Sequence, residues 1–334
     1  MTNLNVGLLG GGSWGTTVAA LVARNTPATL WARNADTVRD INDNRRNRKY
    51  LGEAPLPERL HATTDLRATV ANADVVVMGI PSHNFRAVLL EVKEHLRPWV
   101  PIISLTKGLE LDTRMRMTQI INQVLPGHPV GVLTGPNLAR EIMAGQAAAG
   151  VIAMTDKVIL CELQKLFKSG LFRVYTNDDV IGCELGGVLK NIIAIAVGMG
   201  DGLGAGDNTR AALISRGLAE VTRLGVAMGG RPETFAGLAG MGDMIATCTS
   251  PQSRNRHVGL ELAKGLSMET IAERMFMVAE GAKSAPAVMA LAEEYGVEMP
   301  IAQDVYRVVA GQSTAQRAFR GLLRVDAGAE HEPG

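Results

Sequence analysis

A lysine among small and apolar residues is the strongest chemical signal in the chain: Gly186-Gly187-Val188-Leu189-Lys190-Asn191-Ile192-Ile193. Read as a helix, this segment stacks Gly186, Gly187 and Ala194 beside Lys190, leaving a bare face where a substrate carbonyl or a nicotinamide ring can approach. Leu189, Ile192 and Ile193 withhold water. Burial favours a neutral amine and a second cation such as Lys107 pushes the same way, so Lys190 is expected to titrate below the usual lysine value of about 10.4. A lysine tuned in this way exchanges protons near neutral pH. The competing reading is a lysine that snorkels out of its helix or pairs with Glu184. Asn191 is placed to pin the amine or the substrate.

Further along, Gly240-Met241-Gly242-Asp243-Met244-Ile245-Ala246-Thr247 sets a carboxylate and a hydroxyl at i and i+4, on one helical face. Asp243 is the natural group to orient the lysine. Ser253-Arg254-Asn255-Arg256 then offers two guanidiniums and two polar caps, a combination suited to gripping phosphate oxygens bidentately. Alone, such a charge run is weak, since charge runs usually form a solvated surface. Val278-Ala279-Glu280-Gly281 reads as a loop-like break where Glu280 is placed to accept from a cofactor amide or ribose, or is an ordinary helix-end glutamate.

A second constellation opens the chain. Gly10, Gly12 and Gly15 form a G-x-G-x-x-G between the apolar run Val6 to Leu9 and a helix-like segment beginning at Thr16, the context a dinucleotide fingerprint requires. Gly10 permits a tight turn, Gly12 admits a pyrophosphate against the backbone, and Gly15 lets helix pack on strand, leaving N–H groups at the positive helix end for the phosphates. Arg33 follows the second strand, where a NAD-binding chain usually carries an acid for the ribose diol; arginine there favours the 2′-phosphate of NADP, with Asp36 nearby keeping NAD in play. Thr106-Lys107-Gly108 and Thr134-Gly135-Pro136-Asn137 end later strands and are expected to face the cofactor.

The elements that must position these groups fall into two halves. Val6–Leu9, Ala28–Trp31, Val75–Ile80, Ile102–Ser104, Val130–Leu133, Ala148–Met154 and Phe172–Tyr175 read as strands, with helical stretches such as Phe85–His95, Thr113–Leu125 and Lys157–Lys168 among them. The implied fold class is α/β, an N-terminal doubly wound parallel sheet of the Rossmann type. From Val180 onward Ala, Leu, Glu, Met and Arg dominate helical windows, the clearest being Arg210–Leu224, Met268–Arg274, Ala285–Tyr295, Ile301–Ala310 and Ala315–Leu323. The second half therefore reads as all-helical. The expected limits are a nucleotide-binding domain over 1–178, a helical substrate domain over 179–325 and a polar tail over 326–334, since 334 residues exceed what a single core usually holds.

Charge excludes several classes of partner. With 34 Lys+Arg against 33 Asp+Glu there is no basic field to track a nucleic acid or an anionic membrane, so a small-molecule ligand is expected. Three widely spaced cysteines form no metal or disulfide pattern and suit a reducing cytoplasm. No metal and no secretion signal are read, and the most apolar segment, Ile192 to Gly200, looks too short to span a bilayer.

Taken in order, GGGSWG, TKGLE, LTGPN, ELGGVLKNIIAIAVGMGDGLG, GLAGMGD, TCTSPQSRNR and AEG resemble the bacterial NAD(P)-dependent glycerol-3-phosphate dehydrogenases from about residue 5 to 325. The resemblance implies reduction of dihydroxyacetone phosphate to sn-glycerol 3-phosphate with NADPH or NADH, supplying glycerophospholipid synthesis. It also implies a Rossmann domain followed by a helical domain of the 6-phosphogluconate dehydrogenase C-terminal type. Carried residue by residue, it assigns Lys190 as proton donor and acceptor, with Lys107 and Asp243 beside it. Gly135, Asn137, Ser253, Arg254 and Asn255 then serve the substrate, to which the reading of the residues themselves adds Asn191 and Thr247. Gly10, Gly12, Ser13, Trp14, Gly15, Arg33, Lys107, Ala139, Arg254, Val278 and Glu280 serve the cofactor. Asn137 and Ala279 depart from the family's usual Ser or Thr and larger apolar residue. A homodimer is the candidate assembly, with no nucleic acid and no integral membrane association. Closure of the helical domain over the cofactor, flexing at the glycines from Gly198 to Gly206, would exclude water. Two rival readings are a hydroxy-acid dehydrogenase of the same plan and a non-catalytic NADPH-binding regulator.

Overall fold

A computed structural model describes residues 4–275 and 279–322 of the chain. The chain divides into two compact units: residues up to Thr106 together with Met115–Val180, and Lys107–Arg114 together with residues from Ile181 onward. The excursion of Lys107–Arg114 into the helical unit is not visible in local sequence pattern, because it turns on which core receives Leu109, and Leu109 is buried among the helices. The tail at 326–334 and the last residue of the helix expected to reach Leu323 lie outside the described residues.

The first unit is an eight-stranded sheet in the order β3-β2-β1-β4-β5-β6-β7-β8. Its strands are β1 (Val6–Leu9), β2 (Ala28–Trp31), β3 (Leu60–Thr63), β4 (Val75–Met78), β5 (Ile102–Ser104), β6 (Val130–Thr134), β7 (Ala148–Met154) and β8 (Phe172–Asn177). Side chains alternate between two cores, Val6, Leu8, Val75 and Val77 on one face and Leu9, Val76 and Met78 on the other, as a sheet covered by helices on both sides demands. Register aligns Leu9 with Trp31 and Met78, so β1, β2 and β4 end at the same level and their following loops emerge side by side.

Two features differ from the sequence reading. β3 is not anticipated because four residues, with His61 exposed between buried Leu60 and Ala62, are too short for their alternation to stand out. β7 pairs antiparallel with β6, so the sheet is parallel-dominated rather than wholly parallel. The connection holds only the five-residue helix Ala139–Met143. At about 1.5 Å per residue that helix cannot carry the chain back along the strand, so the strand itself makes the return. The helix expected from Thr113 starts at Met117, after Arg114 adopts a left-handed φ of 58°.

The second unit is all-helical and is built around Val180–Gly202, in which every residue from Gly182 to Gly200 is buried. At 23 residues this helix is long and apolar enough to cross a bilayer, which corrects the expectation from length. Burial of 89% of its most apolar window within the protein marks it as a core helix. Val221, Leu224, Phe235, Met244, Val258, Val288 and Val305 join the core around it. Neighbours approach to backbone contact where glycine permits: a Cβ on Gly259 would stand 2.2 Å from the carbonyl oxygen of Ile195.

Candidate active site

In the helical unit the buried groups converge on one carboxylate. Asp243 begins the helix Asp243–Thr249, directly after a π-helical turn over Leu238–Gly242. That turn lies against the lysine helix: a Cβ on Gly186 would meet the Ala239 carbonyl oxygen at 2.6 Å. The bare face expected at Gly186 is thus filled by protein backbone, and what its missing side chain admits is the π-turn. The turn brings Asp243 Oδ1 within 3.1 Å of Lys190 Nζ, while Asp243 Oδ2 accepts from Lys107 Nζ at 2.6 Å. Lys190 also donates to Thr247 Oγ1 at 2.5 Å, and that hydroxyl donates to the Asp243 backbone carbonyl at 2.7 Å.

Burial pushes the Lys190 amine down to about 8, against the pull of Asp243 and with the added push of Lys107. Only 5% of its side chain is exposed, against 20% for Lys107. Glu184 is buried six residues upstream, but the carboxylate in contact with the amine is that of Asp243. Cys248, beside this cluster, is pushed up to about 12 by burial, so it stays a thiol and does not compete as a nucleophile.

Asn191 and Asn255 are brought together, in an arrangement the sequence did not suggest. Asn255 Nδ2 donates to Asn191 Oδ1 at 2.9 Å, Asn191 Nδ2 donates to the Gly187 carbonyl at 3.2 Å, and the Gly281 N–H donates to Asn255 Oδ1 at 3.0 Å. These amides tie the helices Val180–Gly202, Arg254–Ala263 and Glu280–Glu294 to one another. Ser253 caps the second of these helices, its Oγ accepting the Arg256 N–H at 3.2 Å; Arg254 is exposed at the first position, and Glu280 opens the third. Val278 lies outside the described residues.

The sheet-bearing unit holds the second set. Gly10 takes φ 118°, and a Cβ there would stand 2.4 Å from the Gly79 carbonyl oxygen; on Gly15 it would stand 2.0 Å from the Gly10 carbonyl oxygen. Gly12 meets nothing within 4 Å and precedes Ser13–Ala23, whose N-terminus has no side-chain cap. The turn is closed where protein packs and open where a pyrophosphate would lie against the helix N–H groups, so it fits a dinucleotide. Asn47, which sequence reasoning missed, braces it by donating to the Gly11 carbonyl at 3.0 Å and to Thr16 Oγ1 at 2.9 Å. Its signal was hidden in the run Asn44-Arg45-Arg46-Asn47-Arg48-Lys49.

Arg33 is exposed just past β2, where a ribose substituent would be met, and Asp36 pairs with Arg39 one turn along its own helix. Trp14 packs edge-on to Phe172 with ring centroids 6.3 Å apart, and its Nε1 is buried without a partner among the described residues. The same holds for Thr134 Oγ1 and both amide atoms of Asn137. Gly135, between them, has φ 114° and lies against Gly150, while Ala139 opens the short helix that follows. Buried donors and acceptors with no protein partner are costly, and a polar ligand would relieve them.

Residues 5–159 match the family model for the NAD-dependent glycerol-3-phosphate dehydrogenase N-terminus, and residues 179–320 match the model for its C-terminus. The chain belongs to the NAD-dependent glycerol-3-phosphate dehydrogenase family. A glycerol-3-phosphate dehydrogenase [NAD(P)+] of Sphingopyxis alaskensis is 69% identical over 99% of both chains. One from Mycobacterium tuberculosis is 57% identical over 95% of this chain and 93% of its own. Among solved structures, a glycerol-3-phosphate dehydrogenase from Coxiella burnetii superposes with a TM-score of 0.92 at 37% identity, covering 97% of this chain and 99% of that one. The N-terminal match spans the glycine turn and the C-terminal match spans Lys190, Asp243 and Arg254.

Proposed function

We propose that Lys190 is the proton donor and acceptor of this glycerol-3-phosphate dehydrogenase. The enzyme reversibly reduces dihydroxyacetone phosphate to sn-glycerol 3-phosphate with NAD(P)H, an oxidoreductase step that supplies glycerophospholipid synthesis. The rival hydroxy-acid and regulator readings are not favoured. When bound, the reduced nicotinamide supplies the hydride that C2 of the ketone takes up.

The observation that carries the assignment is a buried ammonium, lowered to about 8, held 3.1 Å from a carboxylate. As charge grows on the C2 oxygen, the ammonium hands it a proton and is left as an amine, so C=O becomes CH–OH with the balance closed. Asp243 and Thr247 hold that amine in place, and Lys107 adds positive charge beside the same carboxylate. Gly135 and Asn137 are proposed for the substrate, Arg254 with Ser253 for its phosphate, and Asn191 and Asn255 support these contacts through their bridge. The cofactor is assigned to the Gly10 to Gly15 turn with Ser13 and Trp14, to Ala139, Lys107, Arg254, Val278 and Glu280, and to Arg33 for a 2′-phosphate. A cytoplasmic homodimer is the proposed working form.

Lys190→Ala tests this directly. Turnover should fall by about 10²–10⁴ while the dissociation constant for NADPH stays within a few-fold; unchanged turnover overturns the assignment. Following absorbance loss of NADPH and of NADH with dihydroxyacetone phosphate, with dihydroxyacetone as control, settles coenzyme preference and the need for phosphate together.

A further inference from the structure

We infer that Asp201, acting through Arg256, is a positioning residue for recognition of the substrate's phosphate. The inference rests on the reading of Arg254 as the phosphate contact. Asp201 lies near the end of the lysine helix with only 6% of its side chain exposed, and each carboxylate oxygen takes a separate guanidinium. Oδ1 accepts from Nε and Nη2 of Arg210, both at 2.9 Å, and Oδ2 accepts from Nε at 2.7 Å and Nη2 at 2.6 Å of Arg256.

In each contact the Nε and Nη2 edge of one guanidinium converges on a single oxygen, which fixes orientation as well as balancing charge. Residues i and i+2 of a helix do not share a face. Arg256 is turned in toward the lysine helix by this pair, so Arg254 faces another way, and it is exposed. The adjacent arginines of the SRNR run therefore do different work: one anchors and the other is presented.

The anchor acts on the turn that carries Arg254. Ser253 Oγ accepts the backbone N–H of Arg256, and a Cβ on Gly198 would lie 2.0 Å from the Arg256 carbonyl oxygen. Cap, backbone contact and ion pair together hold the first turn of Arg254–Ala263 to the helix that also carries Lys190. Asp201 so places the phosphate-gripping guanidinium at a set distance from the amine without touching substrate itself. Such placement matters because a guanidinium already held in position loses less side-chain freedom when it takes up the phosphate, a gain that appears in binding.

The test compares Asp201→Asn, Arg256→Met and Arg256→Lys with Arg254→Ala, measuring KM and kcat for dihydroxyacetone phosphate and kcat/KM for dihydroxyacetone. Asp201→Asn and Arg256→Met should raise KM for the phosphorylated substrate by about 10- to 100-fold with kcat within a few-fold and kcat/KM for dihydroxyacetone unchanged. Arg256→Lys, which keeps the buried charge balance and loses only the fork, should fall between wild type and Arg256→Met. The double variant Asp201→Asn with Arg256→Met should be no worse than the worse single, as expected of one shared interaction. If Arg254→Ala raises KM while the Asp201 and Arg256 variants do not, the positioning role is overturned and the phosphate reading stands. If Arg254→Ala leaves KM unaltered, both fall. Equal losses with and without the phosphate would mark a merely structural pair and overturn the inference.

Discussion

Lys190 holds a charge that its surroundings oppose and Asp243 defends, which makes its protonation state the variable most sensitive to pH in the active site. With the amine lowered to about 8, the proposed proton-transfer role has ketone reduction draw on the ammonium and glycerol 3-phosphate oxidation on the neutral amine. Reduction should therefore hold its rate below about pH 8 and decline above it, while oxidation should rise toward the same value. Initial rates in both directions across the range check this, and two profiles that move together would contradict it. Asp243→Asn removes the attraction that raises the amine, so the midpoint of both profiles should move to lower pH. At this scale the sequence was most legible. A lone lysine in an apolar helix and a carboxylate and hydroxyl four apart announce themselves through residue type alone. The Asn191 and Asn255 bridge did not, because an asparagine's partner depends on which helices meet.

Elements matter here through the backbone contacts that small residues allow. Gly186→Ala would drive a methyl into the Ala239 carbonyl and displace the π-turn that aims Asp243. A loss of about 1–3 kcal/mol in stability is expected from such overpacking, with a larger proportional loss in kcat, seen by comparing thermal melting with turnover. Glu220 offers a test away from the chemistry. It accepts the N–H groups of Ile301 at 2.7 Å and Ala302 at 3.1 Å at the start of Pro300–Val309, and burial nevertheless pushes it up to about 7.

Between its ordinary value of 4.5 and about 7, the folded chain keeps a proton at Glu220 that the unfolded chain has released. Stability from this group is therefore full at low pH, declines as pH rises through that window and is level above it. The decline amounts to at most about 3 kcal/mol, and Glu220→Gln should flatten it in urea midpoints measured across the window. Helix positions such as Met268–Arg274 were legible from periodicity. The reversal of β7 and the edge strand β3 were not, since direction depends on connection geometry and four alternating residues are too few to stand out.

For the whole molecule, the sheet-bearing unit owns two cores and the helical unit a third, so ligand effects should be separable. NADPH at 100 times its dissociation constant should stabilise the fold by about 2.7 kcal/mol, read as a rise in melting temperature. Gly10→Ala, strained at φ 118° and clashing with the Gly79 carbonyl, should abolish that rise. Length and composition made two units legible. Which unit each loop joins was not, because a strand-end segment with one leucine carries no mark of the core that will take it.

The loop Lys107–Arg114 makes the polypeptide pass from one unit to the other at Thr106, Arg114 and Val180. A gene fragment beginning at Ile181 would encode the helices of the helical unit yet leave Asp243 without its outer lysine and the helical core without Leu109. Neither half can be severed cleanly by a protease or a recombination event. Inheritance of this catalyst by domain shuffling would have to move both parts as a single exchangeable block.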